Sequence, residues 1–558
     1  MKAKTWMTAA LAAGLAVAAS WVVQAESVNR QVRAATTFQD AYARLDARGT
    51  DRVVGITFPL NISVGLMVEA TEVAATSRGP FTVKCGEATF AAAANEKWKA
   101  RRVEGTPAKL EYYPVIGTFP LDQEAQARAL AAKWTAQGYL SDLMLAGVQL
   151  VNDGAIVNDG RRYYVHVNRF VDEAAARLFM QQLMNLGERP WLSEKLITPS
   201  SGTVELVDPT GAVRAHGTSV QWTGAAPMKM FQVHHDVGFP QEGFEDREYE
   251  GSLVAAFDRK GLLAGVNVLD LDLYLKGVVP SEIYASDPAD TIRAQAVAAR
   301  GETVAGLGVR QDGQPFDTCS DQNCQEYTGL KLQEASTNSG VLATRGEVIK
   351  HAGNIIEAVY ADTCGGHTEN IENVWSTQPH PSLIGVPDCP EGQNQFPNPP
   401  TDSALRKWLA DNPPTFCRGE GNQINPKARW TVELTAAELT DRINKTYHVG
   451  AVRKLELGDR GVSGRLKSMK VIGATDSVTI LKELPIRRAL GGFRSALFVV
   501  DVRADAAGKP VAWTFKGAGN GHGVGMCQVG ARWAARAGWD YRKILAHYFR
   551  STDVVKIY

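Results

Sequence analysis

The chain of 558 residues carries one glutamate in chemically suggestive surroundings, Glu282, in the run LDLYLKGVVPSEIY. Val278, Val279 and Pro280 precede it and Ile283 and Tyr284 follow, so its carboxyl is expected among apolar neighbours that raise its pKa, as a general acid requires. The plainer reading is a glutamate paired with a lysine or arginine. A second cluster lies between Gly519 and Gly530, where glycines surround His522, Val524, Met526, Cys527 and Gln528. Glycines let a backbone approach a ligand closely and take positive φ angles. Their spacing does not fit G-x-G-x-x-G, which argues against a dinucleotide site. Cys364 and His367 stand three residues apart, a spacing from which a thiol and an imidazole both reach one metal ion. A disulfide from Cys364 is the competing reading in an exported chain. A Cys–His nucleophile–base couple on Cys364 or Cys527 has no further support, and His234, His235 and His547 read as surface or packing residues.

These residues need elements to position them. The apolar run before Glu282 reads as a strand. After it, Asp287 reads as an N-cap, Pro288 as the first helical residue and Asp290 as an acid in the first turn, predicting a helix from about Ala289 to Val304. On that helix Ile292, Ala296 and Ala299 mark a buried stripe with Gln295 between them. Gln295 and Arg300 either line a cleft or tie the helix to neighbouring loops. Further strands are predicted at Leu466–Ile472 and Ala496–Val502, a helical signal at Thr435–Tyr447, and a last helix over Gln528–Ala537.

Composition bounds the function. With 60 basic and 60 acidic residues the net charge is zero, so nothing argues for a polyanion such as nucleic acid. Lys2 and Lys4, the apolar stretch Trp6–Val23 and Ala25 read as a secretory signal over residues 1–25, with an uncleaved anchor as the alternative and the only route to a membrane. Export to the periplasm or cell wall follows. Seven cysteines leave at least one unpaired within the monomer. Cys319 and Cys324 are local candidates for pairing, and Cys364, Cys389 and Cys417 lie nearby in sequence.

The motifs YLKGVVPSE, AQAVAAR, Gln325-Tyr327-Gly329, CGGHTEN at 364–370 and GHGVGMCQVGA at 521–531 occur in order over roughly the last 300 residues. Together they resemble the SpoIID/LytB family of bacterial cell-wall proteins, whose members are lytic transglycosylases on peptidoglycan or activators of cell-wall amidases. The resemblance implies Glu282 as the catalytic acid, and Tyr274, Ser281, Gln295, Arg300, Tyr327, His522 and Gln528 as candidate substrate contacts. It also implies that one glutamate suffices. The acid protonates the glycosidic oxygen and then takes the proton of the C6 hydroxyl of N-acetylmuramic acid, which attacks its own anomeric carbon at high effective concentration and leaves a 1,6-anhydro end. No cofactor is required, and zinc at Cys364 and His367 is the open alternative to a disulfide. Two departures limit the carry-over. Arg300 begins RGET where many relatives read RTYA, and Cys527 stands where the family usually has serine.

The fold class expected is α+β: a β-rich SpoIID-type catalytic domain at 199–558 with several helices and a loop insertion at 390–427, preceded by β-rich residues 26–110, of which 91–110 look like a linker. Between them, residues 111–198 repeat an aromatic strand followed by an Ala-rich amphipathic helix and a glycine. YYPVIGTF pairs with EAQARALAAKWTAQG, and RYYVHVNRF with EAAARLFMQQLMNLG. This βαβ-βαβ pattern resembles a SPOR (RNP-like) module, which binds peptide-stripped glycan strands. Tyr113, Phe119, Tyr164 and Phe170 are its candidate sugar-stacking residues, although some must be core. The partners implied are peptidoglycan glycan strands and, on the second reading, a cell-wall amidase.

Overall fold

The computed structural model describes residues 52–235, 242–308, 313–375, 378–421 and 423–558. The expected signal segment 1–25 lies outside them. The described residues form a mixed, strand-rich α+β structure, divided into two compact units.

The first unit takes residues up to Lys109, then Leu196–Val278 and Arg310–Leu332. Its seven-stranded sheet runs in the order Thr318–Cys319, Asn61–Ala70, Leu263–Asp270, Ser252–Phe257, Val220–Gly224, Phe81–Cys85, Ala88–Ala92. Ser252–Phe257 and Leu263–Asp270 are buried at every position. A strand covered on both faces reads as a continuous apolar run rather than an alternation. A six-stranded sheet holds Val213–Gly217, Ser201–Val207, Trp98–Thr106, Glu72–Ser77, Met228–His235 and Gly243–Tyr249. Trp98–Thr106 falls inside the expected linker. Trp98 and Ala100 face the core while Arg101 pairs with Glu205 across the sheet, and these charges hide the strand in the sequence.

The stretch expected as a strand before Glu282 is instead the helix Leu271–Glu282. The preceding strand stops at Asp270, whose Oδ1 accepts the N–H groups of Asp272 at 2.8 Å and Leu273 at 3.3 Å and so caps the new helix. Leu271, Tyr274, Leu275, Val278 and Val279 are all buried. Their spacing, i, i+3, i+4, i+7 and i+8, is that of a helix, but Leu271, Leu273 and Leu275 also alternate as a strand would and Pro280 interrupts the run, so the sequence is read either way.

The second unit takes Leu110–Lys195, Val279–Val309 and Gln333–Tyr558. In its 110–195 part, the strands Trp191–Thr198, Lys109–Phe119, Arg162–Val167 and Ser141–Ala146 lie side by side in that order. Helices Glu124–Thr135 and Glu173–Asn185 cover one face. Asp172 caps the second of them through the Ala175 N–H at 2.8 Å. The long segment between the two copies is the hairpin Gln149–Asn152/Ala155–Asp159.

The remainder of this unit centres on the helix Ala289–Gly306. Its Ala294, Val297 and Ala298 share a core with Ile349, Ile356, Met526, Val529, Ala531, Tyr548 and Phe549. Asp287 does not cap it: Pro288 holds the cap position, and the Asp287 carboxylate is engaged elsewhere. The 390–427 segment contains the helix Asp402–Asp411, capped by Thr401. The helix Tyr541–Tyr548, capped by Asp540, was not legible in the sequence.

Candidate functional site

Glu282 is the last residue of the helix Leu271–Glu282 and is half-buried, while its chain neighbours Val279 and Ile283 are buried. Gln528, the first residue of the helix Gln528–Arg536, donates Nε2 to Glu282 Oε2 at 3.2 Å and to the Glu282 carbonyl at 3.3 Å. The same Nε2 lies 3.4 Å from Gln295 Oε1. The fold therefore brings Glu282, Gln295 and Gln528 together from three separate motifs. A neutral amide on Oε2 orients a carboxyl without fixing it as a carboxylate, so the group can act as acid and then as base.

The chain just past Glu282 is fastened to the same helix. Arg532 clasps Asp287 with both arms, Nε to Oδ1 and a terminal nitrogen to Oδ2 at 2.9 Å. A bidentate guanidinium–carboxylate pair fixes orientation as well as position. The Arg532 guanidinium also lies 5.0 Å from the centre of the Tyr284 ring. Tyr284 itself is 67 % exposed. This places an exposed aromatic two residues from the carboxyl, where the sequence had suggested only an apolar neighbour.

Other expected contacts fall away from this cluster. Tyr274 and Tyr327 are buried, their rings 4.9 Å apart, and the Tyr327 hydroxyl donates to Asn267 Oδ1 at 2.7 Å. They are packing residues, because a fully covered ring offers a polymer no surface. Arg300 is equally buried and donates to the carbonyls of Glu347 at 3.0 Å and Val341 at 3.2 Å, so it ties its helix to the strand Glu347–His351 and the helix Ala335–Ala343. Ser281 is half-buried beside Glu282 in sequence.

His522 has both ring nitrogens committed. Nδ1 accepts the Val524 N–H at 3.0 Å, so Nε2 is the protonated nitrogen and donates to the Tyr360 carbonyl at 2.9 Å. Burial pushes its pKa down to about 3. Both nitrogens are thus spent on backbone groups that fix the glycine-rich loop. The glycines serve the same end: at Gly525, with φ +70°, a Cβ would stand 2.0 Å from the Val359 carbonyl oxygen. The close approach predicted here is to the chain's own backbone.

In the 111–198 module, Phe119 joins the helix-side core with Tyr163 and Val165, and Phe170 packs against Phe179 of the second helix at 5.4 Å. Both rings are half-buried and packed on the helix side of the sheet. Strand alternation puts Tyr164 and His166 on the other face, where Tyr164 meets Trp191 edge-on at 4.8 Å and the buried Tyr113 meets His166 at 4.8 Å.

Cys319 and Cys324 form a disulfide. Cys364 and His367 do not converge on one point: His367 is buried against Phe396, and its Nδ1 bonds the Thr368 carbonyl at 2.7 Å. Cys364 instead meets Cys417, Cys527 and Asp388.

Residues 259–351 match the family model described as Stage II sporulation protein, and residues 369–525 match a domain of unknown function (DUF8618). An uncharacterized protein of Brachyspira hyodysenteriae is 30% identical over 322 residues, 56% of this chain and 75% of that one. The amidase enhancer of Bacillus subtilis is 28% identical over half of this chain but only 40% of its own length, and the B. subtilis stage II sporulation protein D is 26% identical over 52% of this chain and 75% of its own. Among solved structures, the peptidoglycan binding domain of the B. subtilis cell wall lytic enzyme CwlC covers 16% of this chain at 22% identity, with a TM-score of 0.12, too slight a likeness to support an argument. Matched across the segment that holds Glu282 and along three quarters of the Brachyspira protein, the chain belongs to the SpoIID/LytB family.

Proposed function

We propose that the chain is an exported peptidoglycan glycan-strand lyase, a lytic transglycosylase, with Glu282 as its single acid and base. The observation that carries this reading is the Glu282 carboxyl itself: half-exposed at the end of a buried helix, oriented by the neutral amide of Gln528 and followed by the exposed ring of Tyr284. In its protonated form Glu282 gives its proton to the oxygen between muramic acid and N-acetylglucosamine. It then accepts the C6 hydroxyl proton as that oxygen closes on the anomeric carbon, and the carboxyl is regenerated protonated. Gln528 keeps the carboxyl on target through both transfers, and Asp287–Arg532 holds the loop that presents Tyr284. The βαβ-βαβ module at 111–198 is proposed as a SPOR-like holder of peptide-stripped glycan, with Tyr164 and Trp191 as its sugar-facing aromatics. Domain limits of 199–558 for the catalytic part belong to the same proposal.

A second reading draws on the likeness to the amidase enhancer: the chain activates a cell-wall amidase and cuts nothing itself. One digestion separates the two. Purified sacculi and peptide-stripped glycan are incubated with the protein alone and with Glu282→Gln, and products are read by mass spectrometry. Anhydro-muramoyl ends from the wild type and none from the variant support the lyase. No such ends from the wild type overturn it, and faster amidase product when an amidase is added supports the enhancer.

A further inference from the structure

We propose that Cys364, Cys417, Cys527 and Asp388 form a tetrahedral site for a divalent zinc-type cation, which pins the start of the Gln528–Arg536 helix and thereby holds Gln528 against Glu282. One ligand atom from each residue lies within 4.8 Å of all the others, and the Cys364 and Cys417 sulfurs are 3.7 Å apart. With Zn–S bonds of about 2.3 Å at tetrahedral angles, neighbouring sulfurs stand about 3.8 Å apart. Cys364 and Cys417 thus already hold ligand spacing, with Cys527 and Asp388 close by. All four residues are buried, in a core otherwise built of aliphatic and aromatic side chains. A thiol can be buried as a small apolar group, but a carboxylate set among three thiols is costly unless it is hydrogen-bonded or coordinates an ion.

The surroundings are those of an outer coordination shell. Gly366 N–H points at Cys364 Sγ at 3.4 Å, and the N–H groups of Cys364 and Gly530 point at Cys527 Sγ at 3.2 and 3.3 Å. Donors aimed at sulfur favour the thiolate, the form that ligates. The Tyr548 hydroxyl donates to Asp388 Oδ1 at 2.6 Å and the Cys417 N–H to Oδ2 at 2.7 Å, which orients the carboxylate and leaves each oxygen a further lone pair. Three thiolates and a carboxylate around a dication leave surplus negative charge. Arg429, stacked on Trp408 at 4.0 Å and donating to the carbonyl of Gly365 next to Cys364 at 3.3 Å, offsets part of it. Gly530 makes the approach of Asp388 possible, since a Cβ there would stand 2.3 Å from Oδ1. Because Cys527 caps the helix whose first residue is Gln528, the ion reaches the Glu282 carboxyl through one peptide bond and one amide.

The test uses the full chain, loaded with zinc alone, freed of excess metal and assayed for bound metal together with free thiols after denaturation. The expected result is about one equivalent per chain, lost in Cys417→Ser and Asp388→Ala, with affinity lowered about 10- to 100-fold in Tyr548→Phe, which removes only an outer contact. Cobalt in place of zinc should give a sulfur-to-metal absorption band that weakens in Cys527→Ser. The wild-type measurement needs no variant, so a substitution that prevents folding leaves the test intact. A wild-type chain that binds no zinc, whether its thiols are all free or Cys364 and Cys417 are joined as a disulfide, overturns the proposal. So does undiminished binding in a folded Cys417→Ser.

Discussion

Glu282 and Asp388 are both carboxyls set against the Gln528–Arg536 helix, and the contrast between their surroundings bears on the role proposed for each. Glu282 is half-exposed and meets a neutral amide at the helix start. Asp388 is wholly buried a turn further on, where Gly530 lets it in, and meets a tyrosine hydroxyl, a backbone N–H and three thiols. A carboxyl that must exchange protons with a polymer needs an open side and a partner that tolerates both protonation states. One that holds the fold together needs the opposite, closure and saturation with donors. The helix serves both because its first residue faces Glu282 while Cys527 and Gly530 face inward.

The sharpest way to break this contrast is Glu282→Gln. Removing a general acid–base group costs about 10²–10⁴-fold in rate, so anhydro-end release should fall by that factor, while thermal unfolding of the variant stays near that of the wild type. A matching loss of stability would make Glu282 an architectural residue like Asp388. Next in size is Asp287→Ala. It strands the Arg532 guanidinium of a pair whose carboxylate is 3% exposed, and losing one partner of a buried pair costs about 3–5 kcal/mol. Urea unfolding should show it, discounted for the 16% exposure of Arg532. Gly530→Ala probes the buried side: overpacking against Asp388 and Tyr548 should cost about 1–3 kcal/mol in the same assay.

The dependence on pH comes fourth. His522 is held neutral, its pKa pushed down by burial to about 3, whereas the unfolded side chain titrates near 6.5. Between those values the unfolded chain binds the extra proton, so stability is full above about pH 6.5 and declines as pH falls toward 3. Melting temperatures at neutral and mildly acidic pH should diverge more in the wild type than in His522→Gln. An equal divergence would show that His522 contributes nothing to the slope. The smallest effect expected is that of Tyr284→Ala: a few-fold weaker binding of glycan strands, read by sacculus pull-down, with stability unchanged because the ring is mostly exposed.

Legibility of the site in the sequence followed whether a residue's role was local. Glu282 and Gln528 stood out through their motifs, and the helix after Glu282 was placed by its proline and acid signals to within two residues of its observed end. Asp287 was misassigned because an aspartate before a proline reads as a cap, whereas its partner, Arg532, lies 245 residues away. Tyr274, Tyr327 and Arg300 belong to the same motifs as Glu282, yet burial removes them from any surface. His522 looked like a ligand-binding imidazole until both nitrogens proved to be spent on backbone groups. Phe119 and Phe170 could not be sorted from Tyr164 by aromaticity alone, since only the pairing of strands and helices decides which face is covered.

By itself the amino-acid order determined the alternation of strands and helices in the 111–198 module, the course of the helix after Glu282 and the family membership. All of these are carried by neighbours a few positions apart, where periodicity and capping act. Tertiary structure decided between strand and helix for the run ending at Glu282, set the Gln528 amide on its carboxyl with Gln295 beside that amide, and joined Cys364 to Cys417, Cys527 and Asp388 instead of His367. Those outcomes depend on burial and on groups brought together across long stretches of chain, and such encounters leave no trace in local spacing.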